Sequence, residues 1–387
     1  ALAAARQACA AGTSHQFGLR HARIHVHGSS GRRLFAKDQE LRILHVSDAH
    51  VSLSDDDPPR TTRMYRAFEH TTDKVSRSDT TSSAEFVRLM ELACAENVDL
   101  IALGGDIVNF PSSETVAWVL EQVRGPGCGI PFVFTAGNHD WHTEGFWGDP
   151  QYDTQRKVQL ATTLRPLFEA SLAPSSRLFG HVRVKGVDLL FFDNSNHQVD
   201  EEQLAFAREH LSGDAAKQGP PVVLLLHMPL VLPGVDLPPK LSCGHPDWGA
   251  ATDENCQVEA RPCWPAAGNP PSTAAFIELV QEHAAPAGRI TALLTGHVHR
   301  DFSVPAGEEP GRPASNHTAL ACSARQPGCA LRRGAALFER GSALGGTEGL
   351  LEAEGAVQYT TLDAAEGGYR LLELRHGGAG HDGGSLV

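Results

Sequence analysis

The sequence predicts an α/β fold whose parallel strands present their carboxyl ends together, followed by antiparallel strands toward the C-terminus. Three observations carry this expectation. Between residues 41 and 299, short apolar runs alternate with segments of helical period, the pattern of right-handed β-α-β crossovers and a largely parallel sheet. Each apolar run stops abruptly at Gly, Ser, Asp, Asn or His, and open α/β sheets keep their ligands at such strand ends. Beyond Arg300, glycine turns separate short strand runs such as Gln358–Leu362 and Tyr369–Leu374, which read as antiparallel.

Taken in order, Leu41–Val46 is a strand that ends in Ser47-Asp48-Ala49-His50. The polar stretch 52–82 is too long for an ordinary connection and reads as a functional loop. Ser83 is expected to cap a helix over Ala84–Glu96, with Phe86, Leu89, Met90 and Ala93 on one face. Val98–Leu103 is the next buried strand and stops at Gly104-Gly105-Asp106. Ser112 or Ser113 caps a helix to about Val123, and Pro131–Thr135 is a third strand, running into Gly137-Asn138-His139-Asp140. Gln155–Leu172 reads as a helix, Leu178–Val184 and Val187–Phe192 as a hairpin around Lys185-Gly186, and Asp200 as the cap of a helix to about Leu211. Pro221–Leu226 is a strand that delivers His227; Thr273–His283 is a helix; Ile290–Thr295 is a strand ending at Gly296-His297-Val298-His299.

Size and charge narrow the function classes. The 387 residues, 41% of them hydrophobic, suffice for a full core. A net charge of -13 with no basic run disfavours a nucleic-acid partner, while a phosphorylated substrate stays compatible if metal ions supply local positive charge. The longest apolar run, Val222–Leu232, contains His227 and Pro229 and is too short to cross a bilayer. Ala1–Lys37 has no acidic residue, as in a transit-peptide remnant. The preferred reading is the end of an upstream domain, with Arg23–Phe35 as strand, glycine turn and strand. The expected division is 1–37, a main domain over 38–305 with an insertion at 233–271, and a β-rich extension over 306–387.

Eight cysteines are present. Cys94 reads as core. Cys243, Cys256 and Cys263, with Cys322 and Cys329, suit disulfides better than a zinc site, because no Cys-x-x-Cys spacing occurs. With the sequon Asn316-His317-Thr318, they lean toward a secreted or oxidising compartment.

The strand ends offer Asp48, His50, Asp106, Asn138, His227, His297 and His299 as ligands. Singly these are weak signals: a lone His227 would read as a core histidine, and a Gly-Asp strand end as a turn. Together, each terminating a buried strand, they suit two metal ions about 3.5–4 Å apart that share a carboxylate. Asp106, on a central strand, is the natural bridge. In both Asp48-x-His50 and His297-x-His299 an extended backbone would turn the two side chains to one side. Imidazole mixed with carboxylate and amide oxygen suits Zn, Mn, Fe or Co better than Ca.

These five blocks, Asp48-Ala-His50, Gly105-Asp106, Gly137-Asn-His-Asp140, His227 and Gly296-His-Val-His299, resemble those of the calcineurin-like metallophosphoesterases over roughly Leu41–Asp301. The resemblance implies central mixed β-sheets flanked by helices in a four-layer α/β/β/α sandwich. It also implies two divalent or trivalent ions (Fe, Mn or Zn): one on Asp48, His50, Asp106 and His299, the other on Asp106, Asn138, His227 and His297. His139 is then catalytic rather than a ligand, and Asp140 orients it. Two ions would lower the pKa of a bridging water to give an in-line hydroxide, and His139 would stabilise or protonate the leaving oxygen. Purple acid phosphatases of this superfamily carry a tyrosine three residues after the Gly-Asp aspartate; here Asn109 stands there, so a charge-transfer iron site is not expected. Arg60, Arg63 and Arg66 are candidates to grip a small phosphorylated substrate, with His142, also a candidate substrate contact, Trp141 and Trp147 lining the mouth and Trp248 and Trp264 of the insertion closing over it. The rival readings are a metal-binding scaffold with little or no hydrolysis, and a nuclease of the same superfamily.

Overall fold

Runs of β-branched and aliphatic residues buried on both faces form the centre of the molecule. Strands β3 (Glu40–Val46), β4 (Leu100–Leu103) and β5 (Phe132–Phe134) pair in parallel. Strands β7 (Val187–Phe192), β8 (Val222–Leu225) and β9 (Ile290–Thr295) do the same in a second sheet. The computed structural model describes residues 12–17, 21–27, 40–53, 80–109, 111–141, 150–172, 178–195, 198–212, 219–230, 271–284, 288–297, 300–305, 320–323, 330–333, 336–339, 351–354, 357–360, 364 and 368–376.

The helices begin where local chemistry allows. Helix α1 (Ser82–Ala95) starts at Thr81, whose hydroxyl accepts from the Ala84 amide at 3.2 Å; the cap is therefore Thr81 and not the expected Ser83. Ser112 caps α2 (Ser113–Arg124), accepting from the Thr115 amide at 2.9 Å. Helix α3 spans Pro150–Ala170. Asp200 and Gln203 form a reciprocal capping box at the start of α4 (Glu201–Leu211), and α5 covers Pro271–Ala284. The expected hairpin joins β6 (Phe179–Val184) to β7. Lys185 and Gly186 both have positive φ, 48° and 82°, as a two-residue type I′ turn requires.

The remaining strands are β1 (Gly12–Phe17), β2 (His21–His27), β10 (Arg300–Pro305), β11 (Leu320–Ser323), β12 (Ala330–Arg333), β13 (Ala336–Glu339), β14 (Leu351–Glu354), β15 (Val357–Thr360) and β16 (Arg370–His376). One sheet has the order β14-β1-β2-β16-β3-β4-β5, the other β13-β12-β11-β10-β15-β9-β8-β7-β6. Both are mixed. Hydrophobic alternation makes the layers. Ile43, Leu100, Ala102 and Val133 face Leu189, Val223, Leu225 and Leu294 across the gap between the sheets. Leu44, Ile101, Phe132 and Phe134 pack instead on Phe86, Leu89, Val119 and Leu164 of α1, α2 and α3. Leu190, Leu224 and Leu293 pack on Leu204, Phe276 and Val280 of α4 and α5. The result is helices, sheet, sheet, helices, the four layers the resemblance implies.

Several expectations are corrected. The ligand-bearing strands lie in two sheets rather than one largely parallel sheet, because β6 follows α3 into a new antiparallel pairing. The first strand of the expected 23–35 pair lies within β2, which pairs with β1, and the turn and second strand of that pair lie outside the described residues. Strands β1 and β2 (12–27), β3 to β5 (40–134), β14 (351–354) and β16 (370–376) share one sheet. Toward the C-terminus most pairings are antiparallel, but β15 runs parallel to β9 and β16 parallel to β2. Cys94 is not simply core; it forms a disulfide with Cys128. Cys243, Cys256, Cys263, Cys329, the Asn316 sequon and the insertion up to residue 270 lie outside the described residues. Among those residues no helix is long and apolar enough to cross a membrane.

Candidate metal centre

The carboxyl ends of β3, β4 and β5 from one sheet meet those of β8 and β9 from the other. Backbone bonds lock these ends together: the Asp48 amide donates to Gly105 O, His50 to Asp106 O and Gly296 to His227 O, each at 2.9 Å. The backbone does not stay extended through Asp48-Ala49-His50 as the sequence argument assumed. Asp48, His50, Asp106 and His297 have φ of 55°, 47°, 51° and 67°, a left-handed conformation that L-residues adopt at a cost. Four such residues at one place are strain held by the surrounding bonds, as functional sites often store it.

Asp106 stands at the middle. One of its oxygens, Oδ1, accepts the His139 amide at 2.8 Å, and the other, Oδ2, lies 3.2 Å from Nε2 of His227. Burial pushes its carboxyl up, but His227, His139 and His50 outweigh burial and hold it well below the ordinary range. On His227, burial pushes down while Asp106 and Asp48 pull up, leaving the imidazole at about 10. The Nδ1 of His227 lies 2.9 Å from Gly104 O, so Nδ1–H donates there and Nε2 is the atom turned toward Asp106. Asp48 is fully buried; its Oδ2 accepts from Ser47 Oγ at 2.6 Å and from the His297 amide at 2.8 Å, and its Oδ1 lies 4.0 Å from His50 Nε2.

Ligand atoms converge in two groups, His50–Asp106–His139 and Asp106–His227–His297, the atoms of each within 4.8 Å of one another. Asp106 belongs to both. The His50 and His139 rings meet edge to face, centroids 4.5 Å apart, as do those of His227 and His297 at 5.1 Å. Glycines make this approach possible: a Cβ on Gly137 would collide with Asp106 Oδ1, and one on Gly296 with Ser47 Oγ and Asp48 Oδ2. Buried carboxylate and imidazole donors converging from two sheets fit two transition-metal or zinc ions. The residues that could hold them are His50, Asp106, His139, His227 and His297.

The remaining expectations fare unevenly. Asn138 sits half-buried in the turn between Gly137 and His139. Asp140 does not orient His139 by direct contact: its two oxygens accept the amides of Asp106, Gly137 and Val108 at 2.7–2.9 Å. It braces the turn instead, because three orphan amides at the ends of β4 and β5 need an acceptor. Burial and the Asp106 charge push its carboxyl up to about 8, against the pull of the Gly137 and Val108 amides. Trp141 is buried, stacked on Phe168 with centroids 5.8 Å apart, and not at a mouth. His299, Arg60, Arg63, Arg66, His142, Trp147, Trp248 and Trp264 lie outside the described residues. Sequence reasoning missed Ser47 and Asn194. Asn194 holds the His227 amide at 3.0 Å, and its signal was present: a buried strand, β7, ending in Asp193-Asn194.

No curated protein is a sequence match for the chain. Among solved structures it resembles a dimetal phosphatase from Danio rerio, at 12% identity and TM-score 0.39, covering 84% of this chain and 88% of that one. It also resembles the purple acid phosphatase PPD1 of yellow lupin (Lupinus luteus) seeds, at 12% identity and TM-score 0.43, covering 91% of this chain and 56% of the lupin protein. A third likeness is to GAP50, the anchor in the inner membrane complex of Plasmodium, at 12% identity and TM-score 0.37, with 81% of each chain covered. Likenesses this distant carry no argument about activity; the family match does more. The calcineurin-like phosphoesterase family matches residues 41–301, the span that carries every strand end of the metal centre, and the chain belongs to that family.

Proposed function

We propose that the protein is a hydrolase of small phosphate esters that works with two metal ions, one held by Asp48, His50, Asp106 and His299, the other by Asp106, Asn138, His227 and His297. The observation that supports this most is the place of Asp106 in both ligand groups, as a shared carboxylate needs. When bound, the two ions supply Lewis acidity toward phosphate oxygens and a lowered pKa of water. The chain's own residues do the rest. Gly104 O holds the proton of His227 on Nδ1 and thereby points Nε2 inward. Asp140, through three amides, keeps the Asn138–His139 turn against Asp106. His139, half-buried and beside His50, would give a proton to the leaving oxygen. Arg60, Arg63 and His142 are proposed to contact the substrate phosphate. The Cys94–Cys128 disulfide suits a chain that folds in an oxidising compartment.

A second reading of His139 comes from its position within ligand reach of His50 and Asp106: it is itself a ligand. His139→Ala separates the two. A catalytic His139 means turnover reduced by about 100-fold or more with both ions retained; a ligand His139 means one ion lost. Hydrolysis of p-nitrophenyl phosphate, bis-p-nitrophenyl phosphate and cyclic AMP, each with Mn, Zn and Fe, tests the class. Monoester preference marks a phosphatase and diester preference a phosphodiesterase; no hydrolysis with any metal favours the scaffold reading. The net charge of -13 weighs against a nuclease.

A further inference from the structure

We infer that Asp193 and Asn194, the two residues after β7, form a clasp that sets the His139 turn against the His227 ligand; the inference rests on the phosphoesterase reading above. Neither residue belongs to the motif blocks. His139 rides on the end of β5 in one sheet and His227 on the end of β8 in the other. No backbone ladder joins β5 to β8, so their separation must be held by packing and by polar bonds across the gap. The end of β7 supplies those bonds in both directions.

Toward the His139 turn, Asp193 Oδ2 accepts from Nε1 of Trp141 at 2.6 Å, and Phe192 O accepts from Thr135 Oγ1 at 3.0 Å. Trp141 lies two residues after His139 and is buried against Phe168, so the indole cannot move without the turn. Toward the ligand, Asn194 Oδ1 accepts the amides of His227 and Met228, each at 3.0 Å, and Nδ2 donates to Met228 O at 2.9 Å.

Asp193 is itself fixed from several sides. Its Oδ1 accepts from Ser195 N at 2.9 Å, Ser195 Oγ at 2.5 Å and Lys157 Nζ at 3.2 Å, and its carbonyl accepts from Gln203 Nε2 at 2.8 Å. Two consecutive rigid side chains thus grip the catalytic turn and the metal-binding strand end. The bond His297 N–Asp48 Oδ2 joins two proposed ligands, and His227 Nδ1–Gly104 O ties a ligand to the end of β4; among the described residues, Asp193 is the side chain that accepts from the Trp141 indole.

The two arms of the clasp predict separable defects in the full chain loaded with Mn. In Asn194→Ala, calorimetric titration should show one of the two Mn ions bound about 10–100-fold more weakly, with the circular dichroism of the wild type. In Trp141→Phe both ions should bind as in the wild type, while kcat for p-nitrophenyl phosphate falls about 10–100-fold at unchanged KM. If Asn194→Ala does not fold, Asn194→Ser keeps one acceptor and should show the same metal defect at smaller size. Wild-type Mn binding in the asparagine variant, or wild-type kcat in Trp141→Phe, overturns the clasp. A wild-type chain that takes up no Mn and splits no ester overturns the phosphoesterase reading and the clasp with it.

Discussion

Asp106 and Asp188 are both buried carboxylates, at opposite ends of the strands, and their surroundings differ in kind. Asp188 lies near the start of β7 and is gripped by long side chains. His181 approaches Oδ1 at 2.9 Å, Arg183 donates at 2.6 and 3.0 Å, and Arg289 donates at 3.2 Å. Burial pushes its carboxyl up, but the His181 and Arg183 hydrogen bonds prevail and hold it at about 2. Its backbone is ordinary strand. Arg289 also donates to the carbonyls of His210 and Pro220, so this end is a web of satisfied groups. The Cys94–Cys128 disulfide lies at the same end, where α1 and the turn after α2 lead into β4 and β5. Asp106, at the other end, has short imidazoles around it and a left-handed backbone. One end of the strands is built for stability. The other gathers strained carboxylate and imidazole donors that could hold a metal ion, at the expense of stability.

The comparison can be broken at either end. Asp106→Asn should remove both ions and cost turnover more than the about 10–100-fold typical of a supporting residue. Yet Asn tolerates the left-handed backbone, so the thermal midpoint of the metal-free chain should hold or rise; a marked fall would mean that this end also carries stability. Reducing the Cys94–Cys128 bond, which closes a 34-residue separation, should lower stability by about 3.8 kcal/mol on the loop-closure argument. Mn binding by the molecules still folded should not change.

Asp188→Asn comes next, at about 1–3 kcal/mol for hydrogen bonds to a charged group, read by urea unfolding with metal content as the control. Its pH dependence carries a sign. A carboxyl held at about 2 when folded and near 4 when unfolded stabilises fully above about pH 4 and loses this as pH falls toward 2. The loss should be absent from Asp188→Asn. The smallest effect is expected for Asp200→Ala, which removes the capping box of α4 for about 1 kcal/mol and leaves turnover intact.

Much of this was legible in the residues themselves. The hairpin at Lys185-Gly186, the Ser112 and Asp200 caps and the strands before Asp48, Asp106, His139, His227 and His297 follow from local steric and hydrogen-bonding rules, so a short stretch determines each. The candidate ligand groups were readable too, since donor type is a property of the side chain. Local pattern misled where a backbone amide elsewhere decided the outcome. Asp140 looks like a partner for His139, its neighbour in sequence, but the amides of Asp106 and Val108, in the segment after β4 and more than thirty residues away, take its oxygens.

What the sequence determined alone, then, was which side chains stand at strand ends and what they can bind. The tertiary structure decided that these ends belong to two sheets, that β1, β2, β14 and β16 complete the first of them, and that Asp193 and Asn194 reach the site. It also decided the left-handed backbone of Asp48, His50, Asp106 and His297. Periodicity reports which face of a strand is buried, but not which strand lies beside it. Strand order is settled by hydrogen bonds between residues distant in sequence, and a strained φ persists only where such bonds over-determine it.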